Sequence, residues 1–207
     1  MSLQQPMGTL LLIHSHYGPP PALFAKAVAK GKGVIIREID LTEDHFAAAT
    51  GVITTTHLDQ LGFARFRPAM EVLLARGGRW FFNGHVMREL VSGLEKFVPI
   101  IGAKRADLVL TRLSDHPIFA GIDAASFEEN KGVAGFYGRG HNPLPQGAVA
   151  VTGVGPERLP LDWEWTLPAG GKIFSHAGND VGGMGSVNPS HDLVAPRILD
   201  WTLGGLN

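Results

Sequence analysis

Short apolar runs alternate with helix-like segments through the first half of the chain. Strands are predicted at residues 9–14, 33–40 and 51–57, where apolar or β-branched residues dominate. Helices are predicted at residues 21–30 and 68–76, which carry apolar residues at helical spacing and end at glycines. This alternation predicts a three-layer α/β/α fold, flavodoxin-like, around a mostly parallel sheet.

The stretch from residue 75 to 90 organises the pattern. Residues 80–82 (Trp-Phe-Phe) form an apolar run typical of a strand buried on both faces, and residues 83–85 (Asn-Gly-His) break it. A helix-like run follows, so a strand-to-helix elbow is predicted. Ligands of open α/β sheets bind at such strand ends, where a helix N-terminus offers free N–H groups.

The second half of the chain predicts an antiparallel extension of the sheet. Further strands are predicted at residues 107–113, 147–153, 161–167 and 172–176, the last two joined by a hairpin at 168–171, and a closing helix at 196–203. Residues 122–147 read mostly as loop, and residues 178–185 as a glycine-rich flap. We interpret residues 1–207 as a single domain, with residues 1–7 as a disordered or cloning-derived start.

Composition narrows the classes of partner. The 18 Lys and Arg residues nearly balance the 19 Asp and Glu residues without long runs of one sign, so no nucleic-acid or membrane surface is expected. The expected partner is a small molecule, and association between copies of the chain stays open. The absence of Cys excludes disulfides and thiolate chemistry. No stretch resembles a signal sequence or a membrane span, which favours a cytoplasmic protein.

Four separate motifs together resemble a known fold family. They are the elbow at residues 77–85, the sequence Asp-His-Pro-Ile at 115–118 followed by Gly121, the late strand at 171–176, and the closing helix with Trp201. This arrangement resembles the class I glutamine amidotransferase-like fold, and within it the trehalose-utilisation (ThuA-like) family. The resemblance implies a ligand related to carbohydrates.

The chain departs from that family at the nucleophile. In amidotransferases an elbow cysteine precedes a Gly-His pair by two positions, which places Phe82 at the lost nucleophile position before Gly84-His85. His176 matches the family's base, but the acidic residue expected two positions later is Gly178, and Asp180 is the nearest substitute. Without a thiol the chain cannot be a glutamine amidotransferase.

Polar residues gather at the predicted carboxyl ends of the strands, where they should share one rim and line a cleft. His176 and His85 are the predicted acid and base, as in a hydrolase or proton-transfer enzyme, with Asn83 and the Gly84 amide orienting a developing negative charge. The other predicted ligand-binding residues are His14, His16, His57, Asp59 and Asp180.

Three alternatives to this site stay open. Each histidine could simply cap a strand end or bond the backbone, and the chain could be a catalytically silent ligand-sensing or assembly module. The same histidines with Asp59 or Asp180 could instead bind a divalent metal in a metal-dependent hydrolase. Tight ligand spacings such as His-Glu-x-x-His do not occur in the sequence, so no metal or other cofactor is predicted.

Overall fold

The computed structural model describes residues 9–183 and 189–206. The strands are β1 (Thr9–His14), β2 (Gly33–Arg37), β3 (Ala49–Thr54), β4 (Arg79–Asn83), β5 (Val98–Pro99), β6 (Leu110–Arg112), β7 (Glu129–Asn130), β8 (Val133–Ala134), β9 (Gly140–His141), β10 (Val149–Val154), β11 (Leu159–Thr166) and β12 (Lys172–His176). The α-helices are α1 (Ala22–Ala29), α2 (Glu43–Ala48), α3 (Gln60–Phe63), α4 (Arg67–Ala75) and α5 (Val194–Thr202). Short 3₁₀ helices lie at Glu38–Asp40, Ala64–Phe66, Arg105–Leu108, Pro117–Phe119, Ala124–Phe127, Val181–Gly183 and Pro189–Leu193.

Eight of the strands form one mixed sheet in the order β2-β1-β3-β4-β12-β11-β10-β6. The strands from β2 to β12 in that order run parallel to one another, whereas β11, β10 and β6 each pair antiparallel with their neighbours. Helices cover the sheet, as the apolar runs of its parallel strands require. The fold is therefore the predicted three-layer α/β/α arrangement with an antiparallel extension.

The two faces of the sheet bury two separate apolar clusters. On one face Phe81 stacks on Phe174, with ring centroids 5.0 Å apart, and both rings lie near Trp201 of α5. On the other face Trp80 meets Phe82 edge-on at 5.3 Å, in the cluster that includes residues of α4. Consecutive residues of β4 thus point to opposite faces, as the pleat of a strand dictates.

The hairpin between β11 and β12 sets the register of the antiparallel half. The Leu167 N–H donates to the Gly171 carbonyl at 2.8 Å, and Thr166 is paired with Lys172. Counting back along the two strands brings Asp162 opposite His176. The predicted hairpin is confirmed, and its register decides the composition of the site described below.

The predicted helix after β4 is wrong. Gly84 has φ +109°, and the chain beyond it runs without helical structure as far as β5. Its backbone donors bond to distant side chains instead: the Val86 N–H donates to Asn142 Oδ1 at 2.9 Å and the Met87 N–H to Gln60 Oε1 at 2.8 Å. The residues that follow β4 therefore supply no helix dipole at this strand end.

Other differences are confined to element boundaries. β2 ends at Arg37 and β3 at Thr54, each three residues before its predicted end, and a 3₁₀ helix replaces the beginning of the strand predicted at 107–113. Residues 122–147 contain only two-residue strands and a 3₁₀ turn. Of the predicted flap, residues 184–185 lie outside the described residues, as do residues 1–7. No helix in the described part of the chain has the length and apolar character needed to cross a membrane.

Candidate functional site

The predicted site residues follow strands β1, β3, β4 and β12, whose carboxyl ends meet at one edge of the sheet. They separate there into two groups. One group contains the imidazoles of His14, His16 and His57, and the other contains His85 and His176. Gln60, the first residue of α3, connects the two neighbourhoods: its Nε2 donates to the His85 carbonyl at 2.6 Å.

The first group is a row of three imidazoles. The ring centroid of His16 lies 5.8 Å from that of His14 and 5.6 Å from that of His57. The His16 N–H also donates to Nδ1 of His14 at 3.3 Å. Burial, together with the nearby charges of His16 and Arg37, lowers the pKa of His14, which favours its neutral form at neutral pH.

Asp59 belongs to this neighbourhood, but its carboxylate serves the backbone. Its Oδ1 accepts from the Leu61 and Gly62 N–H groups at 3.0 and 3.2 Å, which caps α3. Its own N–H donates to Ser15 Oγ at 2.8 Å. Within the described residues, no group of three His, Asp or Glu side chains is arranged to hold a metal ion.

The second group contains a fully buried hydrogen-bonded triad. Nδ1 of His176 lies 2.6 Å from Asp162 Oδ1, and the Tyr137 hydroxyl donates to Asp162 Oδ2 at 2.7 Å. Neither His176 nor Asp162 is exposed to solvent at all. Burial and the Asp162 carboxylate raise the pKa of Tyr137 well above its ordinary value, so the hydroxyl keeps its proton. Among the described residues, His176 Nε2 has no hydrogen-bond partner.

Asp162, rather than the predicted Asp180, supplies the carboxylate that orients His176. The nearest substitute for the family's acid was Asp180, but Asp180 Oδ1 accepts from the Thr56 N–H at 2.9 Å and from Thr56 Oγ1 at 3.1 Å. Asp162 orients the ring instead. The predicted hairpin, with residue 167 opposite residue 172, would place Trp163 opposite His176. The observed pairing of Thr166 with Lys172 moves the register by one residue and brings Asp162 there instead, and Tyr137 comes from a loop with no local signal.

Phe82 and His176 lie on opposite faces of the sheet. Phe82 packs on Trp80, while the His176 ring lies 4.5 Å from that of Tyr137 on the other face. The residue of β4 paired with His176 is Asn83. A side chain at position 82 therefore points away from the imidazole.

The predicted donors for a developing negative charge are engaged within the protein. Asn83 Nδ2 donates to the Thr54 carbonyl at 3.0 Å, and Asn83 Oδ1 accepts from the Val181 N–H at 3.3 Å. The Gly84 N–H donates to the His176 carbonyl at 2.8 Å. The Gly84 amide is thus not free to stabilise an oxyanion, and the predicted oxyanion role is not supported.

A cavity of about 250 Å³ opens beside the second group. We call it the His85 cavity; its lining residues are Thr56, His85, Val133, Gly135, Phe136, Gly138, Arg139, Gly178 and Asn179. The His85 ring stacks on Phe97, with centroids 3.7 Å apart and planes 13° apart. His85 is exposed on its cavity side, but partial desolvation by its surroundings and the nearby His176 lower its pKa, which favours a neutral imidazole.

Gly178 connects the His85 cavity to the buried triad. It lines the cavity, and a Cβ at this position would lie 2.7 Å from His176 Nε2 and 1.7 Å from the Tyr137 carbonyl oxygen. The backbone bridge between Gly138 and Gly178 closes the same region. Glycine at 178 is therefore required by the close approach of the triad.

Comparisons with known proteins identify the fold. No protein-family model and no curated protein matches the chain. A GMP synthase-like protein from Thermoplasma acidophilum aligns at a TM-score of 0.61 and 7% identity, over 97% of this chain and 96% of that protein. The mmIFT52 N-terminal domain aligns at 0.58 and 13% over 94% and 97%, and a ThuA-like protein from Bacteroides uniformis at 0.52 and 11% over 96% and 92%. These similarities support an amidotransferase-like fold.

Proposed function

We propose that this chain binds a small polar molecule in the His85 cavity, and that it does so without covalent catalysis. The observation that supports the proposal most strongly is the position of His85, whose stacked ring lines a cavity at the carboxyl edge of the parallel strands. This edge is where open α/β sheets bind their ligands. A hydroxylated molecule such as a sugar suits the cavity and agrees with the resemblance to ThuA-like proteins.

The lining offers hydrogen-bonding groups that suit the hydroxyl groups of a ligand. No described residue hydrogen-bonds the His85 ring, and a neutral imidazole offers one donor and one acceptor. The Arg139 guanidinium donates from Nη2 and Nε to the Ala134 and Gly135 carbonyls at 2.9 and 3.4 Å, which hold it in the cavity wall. Phe136 and the stacked His85 ring supply flat surfaces for the C–H face of a ligand.

Covalent chemistry has no support in this arrangement. The chain has no Cys, and the side chain at position 82 lies on the face opposite His176. The second candidate function is proton transfer by His176, because Asp162 orients its ring and leaves Nε2 unpartnered in the described structure. That role requires the buried Nε2 to become accessible to a bound molecule.

A ligand screen that records binding and conversion separates the two candidates. Saturation-transfer NMR against monosaccharides, disaccharides and polyols detects binding, and mass spectrometry of the same samples after incubation detects conversion. We expect binding without conversion. Conversion that is lost in Asp162→Asn would establish the proton-transfer function in place of simple binding.

Two matched variants locate the site. His85→Ala removes the imidazole from the cavity and is expected to abolish binding of every hit, while His57→Ala alters an exposed imidazole of the first group and is expected to leave binding unchanged. The reverse pattern would move the ligand to the first group of histidines.

A further inference from the structure

A second and larger cavity lies at the antiparallel end of the sheet. Its volume is about 650 Å³, and we call it the Arg112 cavity; its lining residues are Arg112, Asp115, His116, Pro117, Phe119, Ala120, Gly121, Ile122 and Asp123. None of the residues that line it was predicted as a site residue. Arg112 ends β6, so the cavity is separated from the His85 cavity by several strands of the sheet.

Arg112 is the cation of this cavity, and Thr152 stands between it and the buried Asp162 in register across the sheet. Arg112 Nη1 donates to Thr152 Oγ1, and the guanidinium lies 4.3 Å from the centre of the Phe119 ring. Within the described residues, Nη2 has no hydrogen-bond partner, and no carboxylate forms an ion pair with the side chain. A half-buried cation without a counter-ion is costly, so a ligand anion at Arg112 would recover stabilisation.

The cavity also offers an unpaired carboxylate. Asp115 is exposed and makes no hydrogen bond or ion pair with any described residue. The other charged or titratable side chains of the lining are engaged: Asp123 Oδ1 accepts from the Ala125 N–H at 3.1 Å, and His116 Nε2 lies 3.1 Å from Glu164 Oε2. The lining therefore presents one cation, Arg112, and two carboxylates, of which Asp115 makes no hydrogen bond within the described residues.

An apolar wall lies between these charges. Half-buried Pro117 contributes most of the apolar surface. Phe119 and Ile122, which are 3% and 6% exposed and belong to the core cluster on that face of the sheet, contribute only their edges. The arrangement suits a molecule with an anionic group, a cationic group and a hydrophobic body.

We propose that the Arg112 cavity binds a free α-amino acid with an apolar side chain. The carboxylate pairs with the Arg112 guanidinium, the ammonium group pairs with Asp115, and the side chain packs on Pro117 and Phe119. Planar carboxylate recognition of this kind is what the guanidinium fork provides. The site is independent of the function proposed for the His85 cavity.

Titration calorimetry with three related probes tests each charge separately. L-phenylalanine carries both charges, N-acetyl-L-phenylalanine only the carboxylate, and L-phenylalaninamide only the ammonium group. We expect L-phenylalanine to bind most tightly. Arg112→Gln should weaken the binding of L-phenylalanine and the acetylated probe by about tenfold or more, and Asp115→Asn should do so for L-phenylalanine and the amide.

Controls make every outcome decisive. Arg105→Gln removes an exposed arginine outside the cavity and should leave all three affinities unchanged. His85→Ala should also have no effect, so failure of one proposal does not decide the other. If Arg112→Gln fails to fold, Arg112→Lys keeps the charge without the planar fork and should bind the acetylated probe more weakly than the wild type. Absence of binding by the wild-type protein, or equal affinities in both cavity variants and the wild type, would overturn the proposal.

Discussion

The side chain of Phe82 and the imidazole of His176 lie on opposite faces of the sheet, although their strands β4 and β12 are hydrogen-bonded neighbours. Phe82 is paired in register with Ser175, and His176 with Asn83. A nucleophile at position 82 would therefore not meet His176, the base predicted from the family resemblance, whatever its chemistry.

Restoring a thiol at this position is predicted to restore no activity. Phe82→Cys should leave glutamine unhydrolysed and should lower the free energy of unfolding by roughly 2 to 4 kcal/mol, because it removes a buried ring packed on Trp80. Ammonia release measures hydrolysis, and denaturant titration measures the free energy of unfolding. Alkylation by iodoacetamide, which should be slow for the buried thiol, measures its accessibility. The thiol of the control variant Val72→Cys, on an exposed position of α4, should be alkylated rapidly. Ammonia release by Phe82→Cys would show that the strand can present this side chain to His176.

A side chain at Gly178 is predicted to disrupt the buried triad. In Gly178→Ala the new Cβ would lie 1.7 Å from the Tyr137 carbonyl oxygen and 2.7 Å from His176 Nε2, so the backbone must move. We expect a loss of about 3 kcal/mol or more in unfolding free energy, measured by denaturant titration. Gly178→Glu, which restores the acid of the amidotransferase pattern, should be at least as damaging.

Gly18→Ala is the matched control for that experiment. Nothing lies within 4 Å of a Cβ at this position, and its φ is not in the left-handed region. The substitution should change stability by less than about 0.5 kcal/mol. Equal stability of the Gly178 and Gly18 variants would contradict the close approach of the triad.

The pair Asp162 and His176 is predicted to be strongly coupled. Asp162→Ala leaves the His176 Nδ1 and the Tyr137 hydroxyl without their buried partner, so a loss of about 3 to 5 kcal/mol is expected. In the Asp162→Ala background, His176→Ala should lower the free energy of unfolding by less than it does in the wild type. The interaction energy from this double-mutant cycle should be at least about 1 kcal/mol. Additive losses would mean that the two side chains do not stabilise each other.

The fold and part of the site could be predicted from local sequence. The apolar runs fix the strands β1, β3 and β4, and the hairpin between β11 and β12 is predicted. Its predicted register is one residue away from the one that pairs Asp162 with His176. The missing helix after β4 could not be predicted, because its donors are taken by Gln60 and Asn142, which are distant in sequence. The residues of the loop at 133–139 that line the His85 cavity are also placed by tertiary contacts alone.

Low pH should lower the free energy of unfolding, because it protonates Glu164. Burial raises the pKa of this carboxyl, but contacts with His116 and Lys172 outweigh burial and hold it at about 2, against an ordinary value of 4.5. A lowered folded-state pKa stabilises the protein above pH 4.5, and the stabilisation disappears as the pH falls from 4.5 to about 2. The shift corresponds to a contribution on the order of 3 kcal/mol to the free energy of unfolding. Only 18% of the side chain is exposed, so solvent screens this contribution little.

Glu164→Gln tests this contribution. The variant should be less stable at neutral pH and should lose less stability than the wild type between pH 4.5 and 2, as followed by chemical denaturation at each pH. Glu157→Gln, at an exposed position, should reproduce the wild-type profile. A wild-type profile in Glu164→Gln would show that other carboxylates dominate acid denaturation.

Chemical-shift mapping of a bound hydroxylated ligand tests the binding proposal most directly. When the assigned amide spectrum is titrated with the tightest-binding sugar or polyol of the screen, the largest shifts should fall on Thr56, His85, Gly138 and Gly178, and His85→Ala should remove them. Shifts confined to His14, His16 and His57, or no saturable shifts with any compound, would contradict ligand binding in the His85 cavity.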